Sequence, residues 1–465
     1  MTTDNTTRQA ADTRAYVQHL IDNARIAQKE FESYSQKQVD RAVRAIGKII
    51  YDNGESLAQL AVEETGMGRY EDKVIKNKAK AKIVWYKLKG VKSRGIIRYL
   101  DDICIVEIAK PIGVIGCVGP TTNPTMTPNQ NAMIALKGGN AIIVCPHPRA
   151  KKTGIRTVAL MRQALAEIGY PVNLIQVIEE PTMEASNLVM QLCDACISTG
   201  GAGMVKAAYS SGKPAFGVGA GNVQSIVDRD VDLKATAEKI AKSRTYDNGV
   251  LCTCEQCVHV HRDDYDSLVS LLQAQGGAYI SRDEDVSALR QAMFPNGILN
   301  KEIVGAQPQA IAAMAGLSVP ESTRFLLVKI SAGGTDESLS REKLCPVLAI
   351  CSYDTWENAV ALAVKNLRNE GTGHSSVLHS NNRSHIEYAA IRLPVSRIGV
   401  NMVGSSGLGG GFDSGLNPTA TLGCGTWGNN SLSENLWWHH LVNISRIAYQ
   451  IPNVQIPTDE EIWRE

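Results

Sequence analysis

The chain has 465 residues, too many for one compact core, so two or three lobes are expected. Its 48 Lys+Arg nearly cancel its 47 Asp+Glu, leaving a formal charge of +1, which excludes the basic excess or stripe of a nucleic-acid-binding protein. No apolar run reaches the roughly 18 residues of a membrane span, and the polar start MTTDNTTRQAADTRAY carries neither an apolar signal core nor a basic transit character.

The first ninety residues read as helices. Ser35-Gln36-Lys37-Gln38 forms a capping-box pattern. Behind it, Val39, Val43, Ile46 and Ile50 make one apolar face. A second amphipathic stretch covers Tyr70 to Leu88 and is read with its many lysines on the solvent side. From about Ile103 short apolar strands alternate with helices: strands at Ala141–Cys145, Leu174–Ile178, Asp194–Ser198, Lys213–Val218 and Gln224–Val227, then a helix near Asp232–Ser243. That alternation predicts a parallel, doubly wound α/β sheet with right-handed crossovers. It restarts after Tyr246–Cys257, with helices at Asp264–Ala274 and Trp356–Lys365 and strands at Phe325–Ile330, Ser375–His379 and Ser396–Val400. We therefore expect lobes over 1–245 and 246–410. The remaining 411–465 is too short to fold alone and is expected to complete the first lobe and supply an oligomer interface, with Trp437-Trp438-His439-His440 as contact surface.

Eleven cysteines do not make a disulfide scaffold here. Cys104, Cys117, Cys145 and Cys196 sit in apolar, strand-like runs (ICIVEIA, VIGCVG, AIIVC, DACIST), as small buried hydrophobes do in a reducing cytoplasm. In YDNGVLCTCEQCVHVH, Cys252, Cys254 and Cys257 admit three readings. They are metal ligands with His259 and His261, although no second cluster adds a clean fourth ligand; they are buried apolar groups; or Cys252 is a nucleophile on a loop between lobes, beside Asn248-Gly249. A second candidate is the strand-to-helix turn Thr199-Gly200-Gly201-Ala202-Gly203, where backbone and a helix start can approach a pyrophosphate. It is not G-x-G-x-x-G.

The segments IAKPIGVIGCVGPTTNPT, IIVCPHPRAKK, STGGAGMVKAAYSSGKPAFGVGAGN, YDNGVLCTCEQ, EKLCPVLA, GTGHSS and TLGCGTWGNNSLSEN, in this order, resemble the coenzyme A-acylating branch of the aldehyde dehydrogenase superfamily over about residues 10 to 450. VEETGMGRYEDKVIKN and WGNNSLSEN are similar to acylating succinate-semialdehyde dehydrogenases. The aldehyde dehydrogenase half of bifunctional alcohol/aldehyde dehydrogenases is also similar; its iron-dependent partner half has no counterpart before Glu465, so ethanol formation is not expected. The resemblance implies an aldehyde dehydrogenase-like fold: a Rossmann-type cofactor domain, a second α/β catalytic domain and a small oligomerisation segment, assembled as a homodimer or dimer of dimers in the cytoplasm, with a small aldehyde, NAD or NADP and coenzyme A as its ligands and neither nucleic acid nor membrane as a partner.

By the same resemblance Cys252 is the nucleophile of GxxCxxEQ. Thr122 or Asn123 in PTTNP faces the oxyanion, Glu342 clamps the nicotinamide ribose, and His374 of the GHS motif positions the reacting groups. Cofactor contacts fall to Pro146, His147, Arg149, Thr199, Gly200, Gly201, Gly203, Gly217 and Gly219. Hydrolytic relatives have a water-activating glutamate where this chain has Gly217. Without it the thioacyl enzyme waits for the better nucleophile, a thiol. CPHPRAKK lacks the carboxylate that reads the ribose 2′-hydroxyl of NAD and is rich in cations, which allows NADP. The thiol pKa should be lowered by backbone dipoles or by the cofactor's positive ring. Val403–Phe412, with Arg397 nearby, is the candidate pocket for a carboxylate-bearing aldehyde such as succinate semialdehyde; acetaldehyde, propionaldehyde and a sulfonated aldehyde are the alternatives.

Overall fold

The computed structural model describes residues 2–331 and 333–465, with the backbone alone for residues 2–11 and 202. Four helices open the chain: α1 (Thr2–Phe31), α2 (Gln36–Asp52), α3 (Gly54–Thr65) and α4 (Tyr70–Leu88). Ser35 accepts the Gln38 backbone N–H and the Gln38 side chain accepts that of Ser35, the reciprocal cap its sequence predicts. Val39, Val43, Ile46 and Ile50 are fully buried. The α4 lysines depart from expectation: Lys73 and Lys76 point inward, because both meet a buried carboxylate from a distant loop.

Two antiparallel strands, β1 (Gly95–Leu100) and β2 (Ile105–Pro111), lead into the first parallel sheet. Cys104 sits in the turn between them at φ 54, not inside a strand. The parallel sheet is built from β3 (Val114–Val118), α5 (Met126–Lys137), β4 (Ala141–Cys145), α6 (Lys151–Glu167), β5 (Ile175–Val177), α7 (Met183–Leu192), β6 (Ala195–Thr199), α8 (Ala202–Tyr209) and β7 (Ala215–Val218). Its strand order, β5-β4-β3-β6-β7, is doubly wound. The chain steps outward from β3 and returns beside it at β6, so a switch point opens between their C-terminal ends.

The next units are β8 (Val223–Val227), α9 (Leu233–Thr245), β9 (Glu255–His261), α10 (Tyr265–Ala274), β10 (Gly277–Ile280), α11 (Asp283–Met293), α12 (Pro308–Met314), β11 (Phe325–Lys329), β12 (Val347–Tyr353), α13 (Trp356–Asn369), β13 (Gly373–His379), α14 (Arg383–Arg392), β14 (Val395–Val400) and the single turn α15 (Gly404–Gly407). Their strands form a seven-stranded parallel sheet, β10-β11-β12-β9-β8-β13-β14. The boundary expected at 245/246 is therefore too late. β8 already pairs with β9 and β13, and α9 packs on β9 and β11, so we place the division between Val218 and Val223. An apolar strand reads alike from either sheet; only its hydrogen-bonded neighbours decide to which it belongs.

The last strand, β15 (Val442–Ala448), pairs antiparallel with β2 at the edge of a three-stranded sheet. Before it, Leu432, Leu436, Trp437, Trp438 and Leu441 join the core of the first lobe. No helix among the described residues is long and apolar enough to cross a membrane.

Candidate active site

The loop from α9 to β9 carries Cys252. Asp247, Asn248 and Gly249 take φ of 50, 52 and 64, a left-handed run that turns the chain sharply. The buried Arg244 guanidinium fastens the loop at both ends, donating to the carbonyls of Gly249 and Glu255 at 2.9 and 2.8 Å and also to that of Cys345. Asp247 anchors the loop to α4, accepting from Lys73 and Lys76 Nζ at 3.0 and 2.8 Å. The nucleophile candidate is thus held on a stiff support between the two parallel sheets.

Gly221 is what lets Cys252 approach. A Cβ on Gly221 would stand 2.6 Å from Cys252 Cβ and against its carbonyl, so only glycine fits. The Gly221 N–H donates to Glu342 Oε1 at 2.8 Å, which brings that carboxyl into the neighbourhood of the thiol. Burial and the adjacent Glu370 push the Glu342 pKa up to about 7. Cys252 itself is pushed up by burial, then by Glu342, Cys424 and Cys254, with Arg397 pulling the other way. The surrounding groups of the protein thus push the thiol up, so of the two expected sources of lowering, backbone dipoles and the cofactor's positive ring, the ring is the one not already present in the chain. A positive charge arriving with the ligand, or a proton on Glu342, is needed to favour the thiolate.

Arg397 is nearly buried and donates to the His374 carbonyl at 3.0 Å, to Ser375 Oγ at 3.3 Å and to the Gly423 carbonyl. Its Nε has no partner. His374 is fully buried, has both ring nitrogens unpartnered and is held neutral, its pKa pushed down to about 3 by burial and then by Arg397. An imidazole in that state serves as a positioning or hydrogen-bonding group, not as a proton store near neutral pH. Thr122 and Asn123 lie on the loop between β3 and α5, at the switch point. Asn123 Oδ1 is buried without a partner. The two ends of a carboxamide are interchangeable by a half-turn, so this side chain has an unused hydrogen-bonding end to offer an oxyanion.

The expected cofactor residues lie at the C-terminal ends of β4, β6 and β7, together with the β3 loop, along one edge of the five-stranded sheet. Added Cβ atoms on Gly201, Gly203 and Gly219 would meet nothing within 4 Å, and one on Gly200 would only touch Met204, leaving backbone open to a close-lying group such as a pyrophosphate. Thr199 Oγ1 lies 3.3 Å from Thr421 Oγ1. Pro146 is buried against Gly154, where a Cβ would come 2.5 Å from the ring. His147 Nδ1 accepts the Arg149 N–H at 3.1 Å. Arg149 is exposed and makes no ion pair among the described residues, whereas Lys151 is bound to Glu180. Gly217 differs from the others. Its Cβ would strike Val205 and Tyr209 of α8 at 2.7 and 2.9 Å, so this glycine serves the packing of helix on strand and faces away from the open edge.

Gly221, Cys424 and Glu370 join this neighbourhood without having been singled out from sequence. Gly221 and Cys424 stand inside GVGAGN and TLGCGTWGNN, glycine-rich runs that were the available signal; Glu370, which accepts the Glu342 N–H at 2.8 Å, gave none. Cys254 is fully buried, and Cys257 converges with His259 and Cys351.

The thiol-bearing loop lies between two parallel α/β sheets, beside an edge of open glycine backbone. The chain belongs to the aldehyde dehydrogenase family, whose profile matches residues 1–420. It is an oxidoreductase acting on aldehyde groups and is similar throughout to acylating members. It is 47% identical to a succinate-semialdehyde dehydrogenase (acetylating) of Clostridium kluyveri over 96% of this chain and 98% of that one. An acetylating aldehyde dehydrogenase of Geobacillus thermoglucosidasius superposes with a TM-score of 0.91 at 37% identity, over 97% and 99% of the two chains. A propionaldehyde dehydrogenase of Rhodopseudomonas palustris, solved with bound coenzyme A and an acylated cysteine, does so with a TM-score of 0.81 at 26% identity, over 93% and 97%.

Proposed function

We propose that the chain interconverts succinate semialdehyde and succinyl-coenzyme A with NAD or NADP, through a thioacyl intermediate on Cys252. The observation that carries the acylating half of this reading is Gly217. Any side chain at Gly217 would run into Val205 and Tyr209, so this position of β7 has neither a carboxylate nor the room for one. General-base help is worth about 10²–10⁴-fold to water; a thiol needs less of it.

Cys252 Sγ adds to the aldehyde carbon, and the developing oxyanion is met by Asn123, with Thr122 as the alternative. The open backbone at Gly200, Gly201, Gly203 and Gly219 fits a dinucleotide, whose nicotinamide, when bound, accepts the hydride. Glu342, which accepts the Gly221 N–H beside Cys252, suits a ribose hydroxyl. His374 and Arg397 hold the far wall. The Cys252 thioester then passes to the coenzyme A thiol, one thioester exchanged for another, so the reaction runs in both directions.

For the substrate, a carboxylate needs a cation. Arg397 has an unpartnered Nε in the wall, and Lys80 Nζ, gripping the carbonyls of Gly409 and Gly410 at 2.9 and 3.1 Å, brings a second cation to the Val403–Phe412 loop. Arg149 supports NADP, since it is exposed after β4, the second strand of the first parallel sheet, and makes no ion pair among the described residues. The exposed tail beyond β15 supports a homodimer or dimer of dimers.

Reduced-cofactor absorbance, followed with NAD or NADP and succinate semialdehyde, with and without coenzyme A, tests the reading. Continuous turnover is expected only when coenzyme A is present, and a strong preference for NAD in the KM values would remove NADP. Steady turnover without coenzyme A would return the enzyme to the hydrolytic class. Preference for acetaldehyde, propionaldehyde or sulfoacetaldehyde would overturn the substrate.

A further inference from the structure

Behind the nucleophile loop, in the middle of the seven-stranded sheet, Cys257, His259 and Cys351 converge. Their potential ligand atoms all lie within 4.8 Å of one another, and the three residues are at most 3% exposed. Cys257 and His259 share one face of β9, two residues apart, and Cys351 is the β12 neighbour of His259. The cysteines of the first lobe sit mainly among aliphatic side chains; this group brings two thiols to an imidazole.

The imidazole is oriented by a chain of hydrogen bonds that ends on an unambiguous donor. The Gly334 backbone N–H donates to Asn366 Oδ1 at 2.8 Å, so Asn366 Nδ2 donates to Gln224 Oε1, also at 2.8 Å. Gln224 Oε1 is then an acceptor, and His259 Nε2, 2.9 Å away, must carry the proton. That leaves the Nδ1 lone pair free of hydrogen, facing Cys351 Sγ at 3.1 Å. A histidine whose far nitrogen donates to a fixed carbonyl oxygen is arranged as metal-ligating histidines are.

A second observation concerns charge. Lys343 is completely buried, and its Nζ donates to the carbonyls of Gln256, Leu339 and Arg341 at 3.0, 2.8 and 2.8 Å. Three donated bonds identify an ammonium. Among the described residues it has no ion-pair partner, although a buried charge calls for one. Its bond to the Gln256 carbonyl places this ammonium against the residue that precedes Cys257.

We propose that Cys257, His259 and Cys351 form a three-coordinate site for a soft monovalent cation, Cu(I). Two thiolates, a neutral imidazole and one monovalent ion sum to a single negative charge, which Lys343 balances. Structural zinc sites are almost always four-coordinate, and among the described residues no fourth His, Cys, Asp or Glu joins this buried group, whereas soft thiolate donors also suit Cu(I). Metal–nitrogen and metal–sulfur distances of about 2.0 and 2.3 Å put nitrogen and sulfur roughly 3.7 Å apart in a trigonal plane, a small opening of the present contact. A disulfide is the poorer reading. Cys257 pairs in register with Ala349 and Cys351 with His259, a diagonal of roughly 8 Å between Cα atoms from strand spacing and rise, beyond the about 7 Å that a disulfide bridges.

The test uses the full chain with Cys252→Ser, so that the nucleophile does not capture the metal, kept reduced and titrated with Cu(I) against a colorimetric Cu(I) chelator. One tightly held equivalent per chain is expected, with a near-ultraviolet thiolate-to-copper band and a raised Tm. Cys257→Ala and Cys351→Ala should each lower the affinity at least tenfold and remove the band while leaving the metal-free circular dichroism unchanged. The surface group Glu434, His439 and His440 contains no sulfur and contributes no such band. Equal Cu(I) uptake by the parent and by the Cys257→Ala/Cys351→Ala double variant would overturn the site, and stoichiometric Zn(II) binding in preference to Cu(I) would overturn its three-coordinate character.

Discussion

Glu255 enters the seven-stranded sheet three residues after Cys252, with its side chain carried into the interior. Oε1 accepts the Gly404 N–H at 3.0 Å, while Oε2 has no partner. Burial pushes its pKa up to about 7, against the smaller opposing pulls of Ser243, the backbone and Arg244. An acid whose folded pKa exceeds its unfolded one binds its proton more tightly when native. Its contribution to stability is therefore fully present below about pH 4.5, falls as pH rises toward 7, and is flat beyond. The loss is on the order of 3 kcal/mol. Glu255→Gln, which keeps an acceptor and never ionises, should gain on the parent by that order at pH 8 and by nothing at pH 4.5. Urea denaturation of both proteins at the two pH values measures the difference, and an equal gap at both would dismiss the buried acid. The same loop marks the limit of what sequence discloses about single residues. Cys252 is legible because its motif is; Gly221 becomes necessary only once Cys252 is seen lying against it.

Among the elements, strand positions along β4, β6, β11, β13 and β14 agree with the expected ranges to within two residues; β4 and β6 are buried on both faces and read as continuous apolar runs, whereas the edge strand β14 alternates. Helix α4 shows what that logic omits. Its bounds are those read from sequence, yet Lys73, Lys76 and Lys80 turn toward protein. Periodicity finds a polar face without telling whether water or a carboxylate lies against it. The carboxylate is Asp247, more than 170 positions away in sequence, which also accepts the Arg69 N–H at 2.9 Å and whose own N–H donates to Asp72. Removing one partner of a buried ion group leaves the others uncompensated, at about 3–5 kcal/mol. Asp247→Ala should lose that much in urea denaturation and, because Asp247 lies five residues before Cys252, should lose turnover disproportionately to KM. A variant as stable as the parent would show that the lysines find water instead.

On the scale of the whole molecule, the chain leaves β15 with little to cover it. β15 is an edge strand of the three-stranded sheet, and residues 449–465 are exposed throughout, among them Ile451 at 48%, Val454 at 62%, Ile456 at 83% and Trp463 at 80%. Ile96 and Tyr99 on β1 and Ile447 on β15 add exposed apolar surface to the same sheet. An unpaired edge invites another strand, and an apolar tail of this kind marks an interaction surface. The first-lobe core takes up Trp437 and Trp438, so the exposed apolar residues near the end of the chain are those of the tail. A second copy of this chain fits the tail best, since an edge strand can meet its own symmetry mate in an isologous pairing. Truncation after Ala448 is expected to lower the assembly mass seen by light scattering, from two or four chains to a smaller number. Cys252 and the open glycine edge belong to the two parallel sheets, so NAD(P) reduction per chain should survive the truncation. An unchanged mass would move the interface off the tail, and loss of activity in step with mass would mean that a neighbouring chain completes the site.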